Sequence, residues 1–143
     1  ARERVCLPDF EAAFKEHCHW GKHVPDPYFV RASERLVKLF EPYTVKGMTV
    51  SAGGFYGPQG RVVRQKLAMP SMLEDFETFS YKGYKVTNFE MEGAALAAMA
   101  ASLGHDAITI CCAIAHRYLK DANTDYHARV NDLVKMVMDR ISE

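Results

Sequence analysis

The stretch Asn88-Phe89-Glu90-Met91-Glu92-Gly93 constrains this chain more than any other segment. Two acidic residues stand one apart where an apolar run gives way to an alanine-rich one. Ahead of them, Tyr84, Val86 and Phe89 read as a short buried strand. Behind them, Gly93 opens a run to Leu103 that holds Ala94, Ala95, Ala97, Ala98, Ala100 and Ala101. Such a run has high helix propensity and almost no side-chain bulk, so the helix can lie very close to a sheet. The glutamates therefore fall at a strand-to-helix switch, where open α/β sheets hold their ligands. A carboxylate is costly to bury without a partner. A sugar diol is one partner, since one carboxylate accepts hydrogen bonds from two neighbouring hydroxyls. The helix start is another, because its dipole favours acidic caps. Spacing alone leaves both open.

A second segment, Phe55-Tyr56-Gly57-Pro58-Gln59-Gly60-Arg61, follows an apolar stretch at 48–52 that reads as a strand. The Gln59 amide offers an acceptor and two donors, and Arg61 adds a fixed fork of donors. A uracil edge presents two carbonyl oxygens with an N–H between them, so this pair is chemically complete for reading it. Phe55 can cover a ring face. Taken alone, the segment also fits an ordinary Gly/Pro loop with a solvated Gln and Arg.

Together the two segments resemble the nucleoside phosphorylase family, and most closely its uridine phosphorylase branch. That branch carries a Phe-Tyr-Pro-Gly-Gln-x-Arg loop, followed by a Glu-Met-Glu motif in the same order at similar separation. Here Gly57-Pro58 exchanges the Pro and Gly of that loop. The resemblance runs from about Tyr28 to the C-terminus, with 1–27 as a weakly matched leading segment.

The chain has 143 residues, one domain's worth, with Lys+Arg and Asp+Glu balanced at 18 each. That balance gives no sign of a nucleic-acid or anionic-membrane surface. No apolar segment reaches the length of a bilayer span. Cys6, Cys18, Cys111 and Cys112 form no disulfide framework, and the adjacent pair points to opposite faces of a strand, as suits reduced thiols in a cytoplasmic protein. His17-Cys18-His19 with His23 invites a metal, but the spacing fits no closed four-ligand zinc pattern, so no metal is expected.

Periodicity predicts a helix over 8–16, with Phe10, Ala13, Phe14 and His17 on one face, then irregular chain over 20–27. A helix is expected over 28–40, a strand over 44–52 bent or bulged at Gly47, and a loop over 53–60. Residues 61–67 read as strand or extended chain, and 69–79 as a short helix or turn-rich connection. A strand over 85–89 leads to a helix over 91–103 stopped by Gly104. The continuous apolar run at 107–115 predicts a strand covered on both faces. A final helix over 125–141 packs through Val130, Leu133, Val134, Val137 and Ile141. Alternating strands and helices predict an α/β fold around a largely parallel sheet.

The resemblance sharpens this to a three-layer α/β/α sandwich, incomplete in this chain. Members of the family carry a further stretch before the matched region, with a glycine-rich phosphate loop and phosphate-holding arginines. The chain is thus expected to be the C-terminal part of one domain, inactive by itself, completed by an N-terminal half and by neighbouring subunits of a homo-oligomer. The implied reaction is phosphorolysis of uridine or a related pyrimidine nucleoside, with phosphate as co-substrate and no cofactor. A hydrolytic nucleosidase of the same fold and a non-catalytic binding fragment are the alternatives. In the implied site, Arg61 and Gln59 hold the leaving uracil and Glu92 the ribose hydroxyls. Met91 packs under the ribose and Phe55 against base or sugar, while Glu90 touches ribose or anchors an arginine. The purine branch places an Asp shortly after the penultimate strand; Ile114-Ala115-His116-Arg117 lacks it, which counts against purines. Arg117 fits an arginine near the base pocket, or else a strand-end surface charge. His116 is expected to be a packing residue and Asp106 a solvated turn residue.

Overall fold

Helix α1 (Pro8–His17) starts on a proline, whose fixed φ and missing N–H suit a first turn. Asp9 and Glu11 occupy its first turn and Lys15 and His17 its last, complementing the helix dipole. Phe10 and Phe14, one turn apart, face inward and are almost fully buried. The computed structural model describes residues 5–116, 121–122 and 125–142.

The expected helix over 28–40 is shorter. Residues ahead of Ser33 are extended: Leu7 N–H donates to Phe29 O at 2.8 Å, and Val30 bridges Cys6 in antiparallel fashion. Pro27 biases the chain before it away from helix, and that extended path continues up to Ser33. Helix α2 (Glu34–Phe40) begins only where the Ser33 hydroxyl accepts the Leu36 N–H. Pro42 follows in a 3₁₀ turn, Glu41–Tyr43.

Strand β1 (Met48–Ser51) is also shorter than its apolar run. Helix α3 (Met72–Thr78) resolves the ambiguity at 69–79, and no strand forms over 61–67. Strand β2 (Ser80–Tyr81) turns back on β3 (Tyr84–Glu90), and β3 pairs in parallel with β1, giving the order β1-β3-β2. Met48 faces Val86 but Thr49 faces Asn88, so Thr87 is an extra residue and β3 is bulged there. The expected irregularity at Gly47 is therefore expressed in the opposite strand. A Cβ at Gly47 would lie 2.1 Å from Thr87 Cγ2, so only glycine leaves room for the bulge. The bulge puts Val86 and Phe89 on one face of the sheet, where they join Met48 and Val50 against the core.

That core comprises Phe14, Cys18, Met69, Met72, Phe76 and Phe79 between α1, α3 and the sheet. Phe14 meets Phe79 edge-on with centroids 4.9 Å apart, and Phe76 stacks on Phe89 at 5.9 Å. The opposite face of the strand pair is polar, with Thr49 donating to Asn88 and Ser51 to Glu90.

Helix α4 (Gly93–Leu103) follows β3 directly and packs on β1, as its alanines allow. It ends at Gly104, as expected, while Leu96, Met99 and Leu103 stand more than half exposed. The run at 107–114 is not the doubly covered strand its composition suggests. It joins no ladder among the described residues, and Cys111, Ala113 and Ile114 are exposed. An apolar run signals burial, but a strand needs a hydrogen-bonding neighbour that the pattern cannot name. Among the described residues, the two-residue pair β4 (Ala115–His116) and β5 (Asp121–Ala122) follows it. Helix α5 (His127–Ile141) rests on α2 with Arg140 over the Tyr43 ring at 4.8 Å. Its stripe is only partly packed: Val130, Leu133 and Val137 are half-buried, whereas Val134 and Ile141 are more than half exposed. The fold is thus mixed α/β with a small three-stranded sheet.

Candidate active site

The parallel pairing brings the two sequence segments side by side. Ala52 N–H donates to Glu90 O at 2.9 Å, so the loop at 53–61 leaves β1 where α4 leaves β3. Both lie at the carboxyl ends of neighbouring parallel strands, the usual ligand edge of such a sheet.

Within the loop, Gln59 is 4% exposed, the one buried polar residue among those described. Arg61 Nη1 donates to Gln59 Oε1 at 2.8 Å and to Phe55 O. Its guanidinium lies 3.5 Å from the centroid of the Phe55 ring, a cation–π stack. Phe55 is half exposed, and Tyr56 meets it edge-on at 5.3 Å. The loop can fold this tightly because Gly60 is left-handed with φ +77°, and a Cβ there would lie 2.6 Å from Leu73. Phe55, Gln59 and Arg61 therefore form one interlocked group. Arg61 keeps further N–H donors beyond those bonds.

The two glutamates part company. Glu90 Oε2 accepts the N–H of Glu92 at 2.8 Å and of Gly93 at 2.6 Å, while Oε1 accepts the Ser51 hydroxyl. Burial pushes this carboxyl upward, but the bonds from Ser51 and from the N–H groups of Glu92, Gly93 and Met91 outweigh it, and the carboxyl sits below the ordinary glutamate value. The capping alternative thus describes Glu90. Glu92 is the N-cap residue of α4, yet its side chain makes no cap hydrogen bond and is exposed. Met91 is also exposed. Among the described residues no hydrogen bond joins Arg61 to Glu92. Arg117 lies outside the described residues.

Sequence reasoning missed two groups. Ser51 Oγ, besides donating to Glu90, accepts the Ala94 N–H at 2.8 Å and so ties β1 to the first turn of α4. The alternation of Thr49 and Ser51 with Met48 and Val50, which gives β1 a polar face, was the available signal. Asp106 is exposed, as expected of a solvated turn residue, but its pairing was not foreseen: it accepts from Ser33 Oγ at 2.5 Å and Arg35 Nε at 2.8 Å. These bonds hold its carboxyl below the ordinary aspartate value. Asp106 borders a cleft of about 800 Å³ with Cys6, Arg31, Ala101 and His105. That cleft runs along α4 from Ala97 to Ser102, roughly 7–15 Å along the helix from Glu92 at 1.5 Å per residue, and none of Gln59, Arg61, Glu90 or Glu92 lines it.

His17 shares a hydrogen bond with Thr78 Oγ1 at 3.0 Å, and Cys18 is buried in the core with its thiol pushed up to about 12 by burial and by Asp75. Among the described residues no three His, Cys, Asp or Glu side chains converge as metal ligands would, and no helix is long and apolar enough to cross a membrane.

A family model described as "Phosphorylase superfamily" matches residues 4–143. No curated protein and no solved structure gives a significant match.

Proposed function

The chain belongs to the phosphorylase superfamily, and on that premise we propose that the protein cleaves uridine with phosphate to uracil and ribose 1-phosphate. Nucleoside phosphorylase-type activity, with nucleoside and phosphate as substrates, follows from the family. Uridine as the nucleoside is our reading. One observation carries it: the buried Gln59 amide and Arg61 guanidinium form a single group on the loop that leaves β1 beside the α4 cap bearing Glu92.

In this reaction a phosphate oxygen forms a bond to C1′ as the C1′–N bond breaks, and that bonding pair leaves with the base. The base gains negative charge and the sugar becomes oxocarbenium-like. Arg61 donates to the departing uracil, where its contribution grows as charge develops. Gln59 holds Arg61 in place and reads the same edge. The exposed Glu92 carboxylate accepts from the ribose hydroxyls, and its charge favours the cationic ring. Met91 lies under the sugar and Phe55 against the base, which displaces part of the Arg61 stack. Arg117 is assigned to the base pocket.

We further assign the complete protein a three-layer α/β/α sandwich, with an N-terminal half that supplies the phosphate site and with neighbouring subunits completing each site. The unpaired thiols of Cys6, Cys18, Cys111 and Cys112 support a cytoplasmic setting. Substituting Gln59→Ala and Arg61→Ala in the full-length protein tests the assignment. Each should lower kcat/KM for uridine by about a hundredfold, the scale of losing one donor aimed at developing charge. Melting measured alongside should change far less. Near-normal turnover in both variants would refute the base-reading role.

A further inference from the structure

Three chain segments meet at one hydroxyl. Ser51 Oγ lies between Glu90 Oε1, to which it donates, and the Ala94 N–H, which it accepts at 2.8 Å. The other Glu90 oxygen takes the N–H groups of Glu92 and Gly93 at 2.8 and 2.6 Å. Three N–H groups of the first turn of α4, which the helix itself leaves without partners, are thereby satisfied by two side chains from the strand ends. Ser51 is followed at once by Ala52, whose N–H holds Glu90 O and from which the base loop departs.

We propose that Ser51 is a positioning residue, whose hydroxyl clasps Glu90 to the first turn of α4 and so fixes Glu92 relative to the base loop. Among the described residues the Glu92 side chain has no cap bond to anchor it, so its direction is set by the backbone that carries it. That backbone is held by Glu90, and Glu90 is oriented by Ser51. Without the hydroxyl, Glu90 Oε1 loses its donor and the Ala94 N–H loses its acceptor, and the turn is held only by its two bonds to a less firmly oriented Glu90 Oε2. The depressed titration of Glu90 agrees with a carboxylate gripped from several directions. The kinetic consequence rests on reading Glu92 and the base loop as ribose and base contacts; the structural one does not.

The test uses the full-length protein as wild type, Ser51→Ala, Glu92→Gln and the double variant. Ser51→Cys, close in size but a weaker donor and acceptor, carries the same comparison if Ser51→Ala does not fold. Amide hydrogen exchange of the peptide spanning 92–94 should speed up about tenfold on loss of the hydroxyl, the equivalent of one net hydrogen bond. Uridine kcat/KM should fall by a similar factor in Ser51→Ala. In the double variant it should fall no further than in Glu92→Gln alone, because the two act as one unit. Losses that multiply, or unchanged exchange at 92–94, would overturn the proposal. A wild type that does not cleave uridine would instead refute the proposed function, and the exchange comparison alone would then decide the clasp.

Discussion

Glu90→Gln tests whether the strand-end carboxylate acts as a cap. The amide has two ways to sit. With its NH₂ toward Glu92 and Gly93, donors face donors, so the favoured orientation turns the NH₂ to Ser51 and keeps the carbonyl on the two backbone N–H groups. Those two bonds then lose charge assistance. A bond to a charged group contributes about 1.5–3 kcal/mol and a neutral one about 0.5–1.5, so the pair loses roughly 2–3 kcal/mol. The neutral amide recovers part of this because it is less costly to desolvate, which leaves about 1–2 kcal/mol of destabilisation. The pH dependence gives the sharper check. The folded-state pKa of Glu90 is depressed, so its stabilisation is present above the unfolded value and is lost as pH falls through the folded one. Gln does not titrate. Urea denaturation of both proteins should therefore show the full gap at pH 7 and a shrinking gap in acid, below about pH 4. A gap that is constant with pH, or one that widens in acid, would refute the capping account.

Gly60→Ala should destabilise the loop twice over, through the left-handed φ of +77° and through contact with Leu73; we expect about 1–3 kcal/mol in denaturant melts and impaired nucleoside binding by calorimetry. Phe79→Ala, at a side chain 2% exposed between Phe14 and His17, should cost about 3–5 kcal/mol in the same melts. Cys18, buried with its thiol pushed up to about 12, should be alkylated far more slowly than Cys111 in the native protein at pH 8, and as fast as Cys111 in denaturant, by peptide mass mapping.

Much of this site was legible because its signals are local. The change from the strand 84–90 to an alanine run marks the switch at Glu90–Gly93, and Gly104 marks the end of α4. Gln59 and Arg61 stand two apart on a loop, so their meeting needs no long-range information. What escaped was non-local. That Glu90 rather than Glu92 is tied to the strand end reflects its bond with Ser51, 39 residues away in the chain. The run at 107–114 has the composition of a buried strand, but composition does not name a ladder partner. Likewise periodicity predicts a helix from 28, whereas Leu7 and Cys6, far back in the chain, hold 29–30 extended and delay the helix to Glu34.

The central claim is phosphorolysis of uridine, and incubation of the full-length protein with uridine, with and without phosphate, tests it most directly. Uracil and ribose 1-phosphate should appear in equal amounts, only when phosphate is present, and faster than the products of inosine under the same conditions. Release of uracil with free ribose and without phosphate, or a clear preference for inosine, would contradict the account.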